Sequence, residues 1–253
     1  MKAKHSDWYK NIWNLDIKNQ SWVEDTEHQV TFIMDTLKLK GGERILDLAC
    51  GFGRHSLSFA RKGFEVVGID LTRAYIEDAL YTAEKEALNA QFYCCDIRHI
   101  QFENEFDVVL NLADGAIGYL EDDSENLKIF DGIARALKPG GKHFMDVCNA
   151  EHAQRFFPKN NWEAGDQALA LSTFEWDPQK RIMLYRGFHI PYDKPAKKPE
   201  ILYGDPIRLY SIEELEDIFH ERNMNILSTF SNYNGKASSP MELQLMVYAE
   251  KHS

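Results

Sequence analysis

The sequence predicts an α/β protein built on a doubly wound parallel sheet, and three observations carry that expectation. Apolar runs of strand length alternate five times with segments of helical periodicity, joined by short links, the pattern of parallel strands with right-handed crossovers. The first run, Ile45-Leu46-Asp47-Leu48-Ala49-Cys50, breaks into Gly51-Phe52-Gly53 and resumes at Arg54-His55-Ser56 with helical spacing, which reads as strand, tight turn and helix. The second and third runs each end in a carboxylate, Asp70 and Asp96.

Trp8, Tyr9, Trp13 and Trp22 stand among polar residues at the start of the chain, too aromatic for a disordered tail, and are expected to pack on the rest of the molecule. Val30, Ile33, Met34 and Leu37 then repeat at helical spacing, and Gly41-Gly42 is expected to end that helix. Strand one is expected over about 44 to 49 and the next helix from near Arg54 to just before Gly63. Strand two covers Glu65 to Asp70. Thr72 is placed to cap the following helix, whose apolar face would carry Ile76, Ala79, Leu80 and Ala83. Strand three runs from Gln91 to Cys95 and strand four from Phe106 to Leu112. Leu127, Phe130, Ile133, Ala134 and Leu137 mark a helix closed by Lys138-Pro139-Gly140-Gly141, and strand five follows from about Lys142 to Cys148.

After about residue 150 the rhythm changes. A helical turn near Glu151 to Phe157 precedes Ala168 to Trp176 and Arg181 to Ile190, a hairpin of long strands around Asp177-Pro178-Gln179-Lys180. Pro191, Pro195 and Pro199 stiffen a link to Ile201-Leu202-Tyr203 and Pro206-Ile207-Arg208-Leu209-Tyr210, where further strand is left open. Ser211-Ile212-Glu213-Glu214 is a capping box opening a helix to about Arg222, and strands near Asn225 to Phe230 and Glu242 to Glu250 bring the sheet to seven. The chain thus divides into an N-terminal helical segment (1–40) expected to act as a lid, a ligand-binding core (41–149), a β-rich insertion (150–210) and a C-terminal helix with two strands that complete the sheet (211–253).

Composition narrows the function classes. With 253 residues, 44% of them hydrophobic, the chain can bury a sizeable core. No run of 18 apolar residues occurs, and the first residues lead into tryptophans and charges instead of a signal-peptide core, so a cytoplasmic protein without a membrane partner is expected. The formal charge of −11 argues against nucleic acid as a partner, because phosphate binding needs clustered Lys and Arg. Cys50, Cys94, Cys95 and Cys148 lack metal-ligand spacing and are expected to be reduced and mostly buried, and no His/Asp cluster has ligand spacing, so no metal is expected.

Ligands of doubly wound sheets sit beyond the carboxyl ends of the strands, and the residues there suit a nucleoside. Gly51 and Gly53 leave no side chain between peptide and ligand. Asp70 can accept both hydroxyls of a ribose, and Asp96 an adenine amino group, with Leu71 and Ile97 as apolar plates on either side of the base. The same strand, glycine turn and acidic residue can serve NAD in an oxidoreductase, but Ser56 stands where that fingerprint has its third glycine, and some 40 residues precede the first strand.

Through Leu46-Asp47-Leu48-Ala49-Cys50-Gly51-Phe52-Gly53-Arg54-His55, Val67-Gly68-Ile69-Asp70-Leu71, Asp96-Ile97, Phe106-Asp107-Val108-Val109 and Leu137-Lys138-Pro139-Gly140-Gly141, the chain resembles the class I S-adenosylmethionine-dependent methyltransferases. The match is close over residues 43 to 149 and looser over 208 to 250. It implies a Rossmann-like, mostly parallel seven-stranded sheet with an antiparallel terminal hairpin, and S-adenosyl-L-methionine as cofactor. It also implies that Gly51, Phe52 and Gly53 lie against the cofactor, that Asp70 holds its ribose, and that Asp96 and Ile97 hold its adenine. Asn111 would offer its backbone carbonyl to the methionine ammonium, and Asp47 would shape the pocket floor. Ala49 replaces a glycine frequent in the family, so its backbone is expected to avoid positive φ. A non-catalytic cofactor-binding module is the further alternative.

No Asn/Asp/Ser-Pro-Pro-aromatic motif, usual for methylation of nucleic-acid amines, follows strand four, where the chain has Asn111-Leu112-Ala113-Asp114, and with the acidic charge and no basic appendage a small-molecule acceptor is expected over protein or RNA. The insertion resembles in its placement those of small-molecule methyltransferases, where such strands wall the acceptor site or join subunits in a homodimer. Tyr9, Tyr119, Arg208 and Tyr210 are the candidates for touching the acceptor. No residue declares itself as the catalytic base; His143 and His189 alternate into strands and read as core or surface histidines.

Overall fold

The computed structural model describes residues 1–19, 23–119, 122–199 and 202–253. Trp22 and Ile201, named above, lie outside the described residues. The chain opens with β1 (Lys2–Ala3) and two short 3-10 turns, then α1 (Thr26–Leu37). A parallel series follows: β2 (Arg44–Leu48), α2 (Arg54–Arg61), β3 (Glu65–Asp70), α3 (Arg73–Lys85), β4 (Ala90–Cys94), β5 (Phe106–Asn111), α4 (Asp123–Ala136) and β6 (Leu137–Cys148). Next come α5 (Ala150–Phe156) and the insertion strands β7 (Lys159–Ala164), β8 (Ala168–Asp177), β9 (Ile182–Pro191) and β10 (Tyr203–Arg208). The chain closes with α6 (Ile212–His220), β11 (Met224–Phe230) and β12 (Gln244–Lys251).

The seven-stranded sheet has the order β11-β12-β6-β5-β2-β3-β4, with β12 antiparallel to both β6 and β11 and the other pairs parallel. This is the Rossmann-like sheet with its terminal hairpin. The chain runs outward from β2 through β3 to β4, then returns to β5 on the other side of β2, so a topological switch lies between β2 and β5. A crevice opens at such a point. Both faces of β2 are covered, which is why Ile45, Leu46, Asp47 and Leu48 are all buried. Alternation sends Ile45 toward α1 and α2, with Val30, Ile33, Leu37 and Phe59. Leu46 and Leu48 go to the other face, with Phe130, Ile133, Leu215 and Phe219 of α4 and α6.

The insertion forms a second sheet, order β1-β10-β9-β8-β7. The β8–β9 hairpin pairs Ala168 with Pro191 through to Asp177 with Ile182. Segment 203–208 is a strand, settling what the sequence left open, while β7 and β1 carry no periodic signal and were not foreseen. The second sheet is tied to the N-terminal leader by a small core of Trp8, Tyr119, Ala150, Ala153, Phe174, Met183, Ile207 and Leu209.

Several local expectations are corrected. α1 ends at Leu37 with Lys38 in the left-handed region (φ 54°), bonded back to the carbonyls of Met34 and Asp35, before Gly41-Gly42 is reached. Thr72 stands at the cap of α3 but its side chain makes no cap bond, and Leu80 is exposed while Tyr75 takes a buried place on that helix. Lys138 to Gly141 lie within β6 instead of before it, and Leu112 lies beyond β5. The capping box at Ser211 and Glu214 is present in both directions. All four cysteines are free, but only Cys50 is buried; Cys94 and Cys95 are exposed at the end of β4. Among the described residues, no helix is long and apolar enough to cross a membrane.

Candidate active site

A cavity of about 790 Å³ opens at the carboxyl ends of β2, β3 and β5, roofed by the N-terminal leader and bounded by β9, β12 and the segment after β11. It falls within the 300 to 1,000 Å³ range of small-ligand sites, at the topological switch point.

One half of it is the glycine turn and its carboxylates. Gly51 (φ 57°) and Gly53 (φ 77°) bend the chain from β2 into α2, and a side chain at Gly53 would collide with Phe92 Cε1 at 2.9 Å. Asp70, at the end of β3, accepts from the Gly51 N–H (2.9 Å) and the Thr72 N–H (2.7 Å), one bond on each oxygen. A lone pair on each oxygen is left for further donors. Burial raises the Asp70 carboxyl above its ordinary range, while those two backbone bonds pull it back. Asp47 lies on the floor, 2% exposed, and accepts from Ser56 Oγ at 2.5 Å. Ser56, at the place of the missing third glycine, therefore has a use that glycine could not supply. Burial raises Asp47 to about 6, against the Ser56 bond. Leu71, Phe52, Cys95, Asp96 and Ile97 complete this half.

Asp96 is less open than the sequence suggests. Arg98 reaches back to it with its backbone N–H (2.9 Å) and with the guanidinium on both carboxylate oxygens, and also bonds Glu125 (2.7 Å). Burial alone would raise Asp96, but the bonds from Arg98 overcome it and hold the carboxyl below its ordinary range. Four bonds leave Asp96 only part of its acceptor capacity.

The other half is assembled from distant segments. Tyr9 and Trp13 of the leader gather with Trp8 around Tyr119: Trp8 lies 5.1 Å, Tyr9 6.2 Å and Trp13 6.5 Å from its ring centroid, the last stacked at 14°. Tyr75 of α3 donates its hydroxyl to the Asn14 carbonyl at 2.9 Å, pinning the leader across the opening. Burial pushes the Tyr119 hydroxyl well above its ordinary value, with Asp114 adding to the effect. Below Tyr119 runs the turn after β5, where Ala113 (φ 54°), Asp114 (66°), Gly115 (47°) and Ala116 (61°) all take the left-handed conformation. Each non-glycine residue there costs about 1 to 2 kcal/mol. The turn is held by neighbours: Asn111 Nδ2 donates to Gly115 O (2.7 Å) and Leu48 O (3.1 Å), and Asp114 N to the Asp146 carbonyl (2.9 Å).

Of the residues singled out in the sequence, Asp47, Gly51, Phe52, Asp70, Leu71, Asp96, Ile97, Tyr9 and Tyr119 line this cavity. Gly53 stands just behind it as the cap of α2. Asn111 does not line it: it is fully buried and braces the strained turn, and Leu112 to Ala116 take the wall it was expected to supply. Arg208 and Tyr210 are also corrected. Arg208 pairs with Glu214 (2.6 Å) and Asp123, and Tyr210, 2% exposed, donates to Asp123 at 2.6 Å, so both fasten β10 to α4 and α6 away from the cavity. Ala49 is corrected as well, since it sits at φ 56°. His143 is buried against the Val109 carbonyl and His189 is exposed, as expected of core and surface histidines.

Sequence reasoning missed Arg54, Asp114, Asp146, Tyr185 and Tyr233, all of which line the cavity. Arg54 bonds Gln29 (2.6 Å) and Thr26 (2.9 Å), and burial draws its basicity down. Tyr233 donates to Asp146 Oδ2 at 2.8 Å. The one signal in the sequence was the carboxylate of strand five, which follows the same strand-end logic as Asp70.

The residues fit an S-adenosyl ligand: the turn offers bare backbone at Gly51, where an added Cβ would meet nothing nearer than 4.0 Å, and Asp70 has acceptor capacity left on both oxygens. Comparison with known proteins agrees. A family model described as a methyltransferase domain matches residues 45–141. The YqeM protein of Bacillus subtilis (strain 168), which carries a methyltransferase name, is 27% identical over 82% of this chain and 84% of its own. Other curated relatives are matched over about 45 to 64% of their length. Among solved structures, an S-adenosylmethionine-dependent methyltransferase of Clostridium acetobutylicum ATCC 824 superposes with a TM-score of 0.74 at 18% identity, over 94% of this chain and 97% of that one. S-adenosylmethionine-bound CalS10 of Micromonospora echinaspora, an amino pentose methyltransferase, gives 0.66 at 16%, over 95% and 98%. The NAD alternative left open by the glycine turn falls with these matches. Sheet order, glycine turn, strand-end carboxylates and the match of residues 45–141 to a methyltransferase domain converge, and they support a class I S-adenosylmethionine-dependent methyltransferase.

Proposed function

We propose that the chain transfers a methyl group to a small-molecule acceptor bound in the half of the cavity bounded by the leader, the turn after β5 and β9. The observation that carries this is the lining: Tyr9, Trp13, Tyr119 and Tyr185 wall the same 790 Å³ space that the glycine turn lines, which leaves room beside a nucleoside for a small acceptor. The negative charge of the chain supports the same choice over nucleic acid.

In this reading Asp70 takes the ribose hydroxyls on its remaining lone pairs, and Leu71 and Ile97 flank the base. Asp96, held by Arg98, receives the adenine amino group with what acceptor capacity is left. Arg54 faces the carboxylate end of the methionine part from the first turn of α2, which has no acidic residue of its own. S-adenosylmethionine supplies an electrophilic methyl on a sulfonium. The chain contributes alignment and a dry site, which account for much of the rate of an in-line displacement. The aromatic leader supplies the dryness, and has to open to admit the acceptor.

The test uses methyl-labelled cofactor with a panel of small amines, phenols and carboxylic acids beside a cell extract fractionated by size. Label in compounds of low mass is expected. Label appearing only in protein or nucleic acid would overturn the reading.

A further inference from the structure

Resting on the small-molecule reading, we propose that Asp146, with Asp114 beside it, binds and deprotonates a basic nitrogen, so that the acceptor is an amine. Asp146 stands on β6 in the cavity wall, 5% exposed. Its two oxygens are treated unequally. Oδ2 accepts from the Tyr233 hydroxyl at 2.8 Å, whereas Oδ1 is buried and meets no donor within hydrogen-bond geometry among the described residues, the Ala113 backbone N–H acting on the carboxyl from the turn after β5. A buried carboxylate oxygen without a donor is costly, and one in the wall of a ligand cavity is explained when the ligand supplies the donor.

The surroundings select the kind of donor. Asp114 lines the same cavity from the strained turn after β5, and its backbone N–H is bonded to the Asp146 carbonyl. Cys148 of β6 faces Asp114, donating from Sγ at 3.5 Å. Arg54 of α2 is the cation acting on Asp146, and it is bonded to Gln29 and Thr26. Asp47 and Asp70 already have donors, Ser56 for the first and two backbone N–H groups for the second. A phenolate or carboxylate acceptor would bring a third anion against Asp114 and Asp146, while an ammonium is drawn to the pair and can fill Oδ1. Tyr119 and Tyr185 line the same cavity, and aromatic rings suit a cation. Burial and then Asp114 push Asp146 up to about 7, with Tyr233, Arg54 and the Ala113 backbone opposing, which suits a group that takes a proton near neutrality.

The step balances. An N–H bond of the ammonium breaks and an O–H bond forms on Asp146, leaving the nitrogen lone pair free. That pair forms the N–C bond to the methyl as the C–S bond breaks, its electrons staying on sulfur. The positive charge passes from sulfonium to the methylated nitrogen, and Asp146 later returns its proton to solvent.

The test titrates the S-adenosylhomocysteine-loaded protein calorimetrically with benzylamine, benzyl alcohol and benzoate. Benzylamine is expected to bind at least tenfold tighter than the other two. Asp146→Asn should lose roughly tenfold or more of that affinity, while S-adenosylhomocysteine affinity changes less than threefold. Tyr233→Phe removes the donor that holds Asp146 down, so the pH midpoint at which benzylamine binding appears should rise. Equal affinities for the three probes, an unchanged benzylamine affinity in Asp146→Asn, or an unmoved midpoint in Tyr233→Phe would each overturn the proposal. Methyl transfer to phenols and not to amines sinks this proposal alone, whereas label found only in polymers sinks the small-molecule reading beneath it.

Discussion

The two halves of the cavity place left-handed backbone on different residues. In the half at the glycine turn it falls on Gly51 and Gly53, where no Cβ opposes it, and on one alanine, Ala49; in the half at the turn after β5 it falls on Gly115 and on Ala113, Asp114 and Ala116, which have a Cβ. The first half is therefore relaxed locally except at Ala49 and could be read as a motif. The second keeps its shape only because β2, β5 and β6 brace it, through Asn111 to Leu48 and Gly115 and through Asp114 to Asp146. Strain held by distant partners is a mark of functional sites, and it places Asp114 in the wall of the cavity.

The largest expected effect breaks the relaxed half. Gly53→Ala adds a Cβ at φ 77° that would stand 2.9 Å from Phe92 Cε1 and 3.1 Å from Ala79 Cβ. Left-handed backbone and overpacking together cost about 2 to 4 kcal/mol. A chain of this size should then melt roughly 5 to 12 °C lower. A melting temperature within 1 °C of the parent would refute the tight approach of α2, α3 and β4.

Next comes cofactor affinity. Asp70→Ala removes an acceptor at the cavity, and losing a hydrogen bond to a charged group costs about 1.5 to 3 kcal/mol, or roughly tenfold or more in S-adenosylhomocysteine affinity. Asp107→Ala is the control: Asp107 accepts from Arg44 N (2.9 Å) and Lys138 Nζ (2.8 Å) at the opposite end of the sheet. Calorimetry should separate the two variants, and equal affinities would contradict the assignment of Asp70.

The same contrast sets what the sequence could disclose. The core sheet was legible because each parallel strand is buried on both faces and each crossover is a short link and a helix, so periodicity and carboxylate endings carry the pattern. The terminal β11–β12 hairpin and the β8–β9 hairpin were legible from apolar runs and turn residues. β7 and β1 were not, since an exposed edge strand and a two-residue strand have no alternation to detect. In the site, Asp70 and Asp96 were found because one strand places each. Arg208 and Tyr210 were misplaced because proximity in sequence to the insertion does not say which way a side chain turns, and both turn to Asp123. Asp146 and Tyr233 meet across 87 positions of the chain, a pairing that only the β6–β12–β11 order creates.

Protons give a further way to sharpen the contrast. Asp47 and Asp146 are raised to about 6 and about 7, in both cases chiefly by burial. A carboxyl raised in the folded state adds stability that is fully present below its unfolded value, near 3.8, and is lost as pH rises through the folded value. The ligand-free protein should therefore lose thermal stability between about pH 4 and pH 7. Asp146→Asn should flatten the upper part of that fall and Asp47→Asn the lower part. Parallel melting curves for parent and both variants across this window would remove these carboxyls from the balance.

The leader tests how closely the halves are coupled. Trp8, Tyr9 and Trp13 surround Tyr119, and Lys18 reaches Asp78 of α3 at 2.6 Å, so the segment touches both halves. As a lid it should gain order when the cofactor half is filled. Amide exchange over residues 6–19 is expected to slow severalfold on addition of S-adenosylhomocysteine. Protection confined to the turn at Gly51 to Gly53 would make the aromatic residues packing alone.

The smallest effect concerns the seam. Ala49 follows β2 directly, at φ 56°, and is the one left-handed alanine on the glycine side of the cavity. Its Cβ carries a penalty of about 1 to 2 kcal/mol that glycine would not. Glycine in turn adds about 0.5 to 1 kcal/mol of backbone freedom to the unfolded chain. The difference leaves Ala49→Gly more stable by a few tenths to about 1 kcal/mol, or roughly 1 to 3 °C in melting temperature. Ala113→Gly, in the same conformation across the cavity, should gain a similar amount if its strain is likewise local. A gain at Ala49 with a loss at Ala113 would mean that the alanine methyl in the acceptor half makes contacts worth more than the strain it causes. A loss at both positions would show that the left-handed conformation is not what distinguishes the two halves.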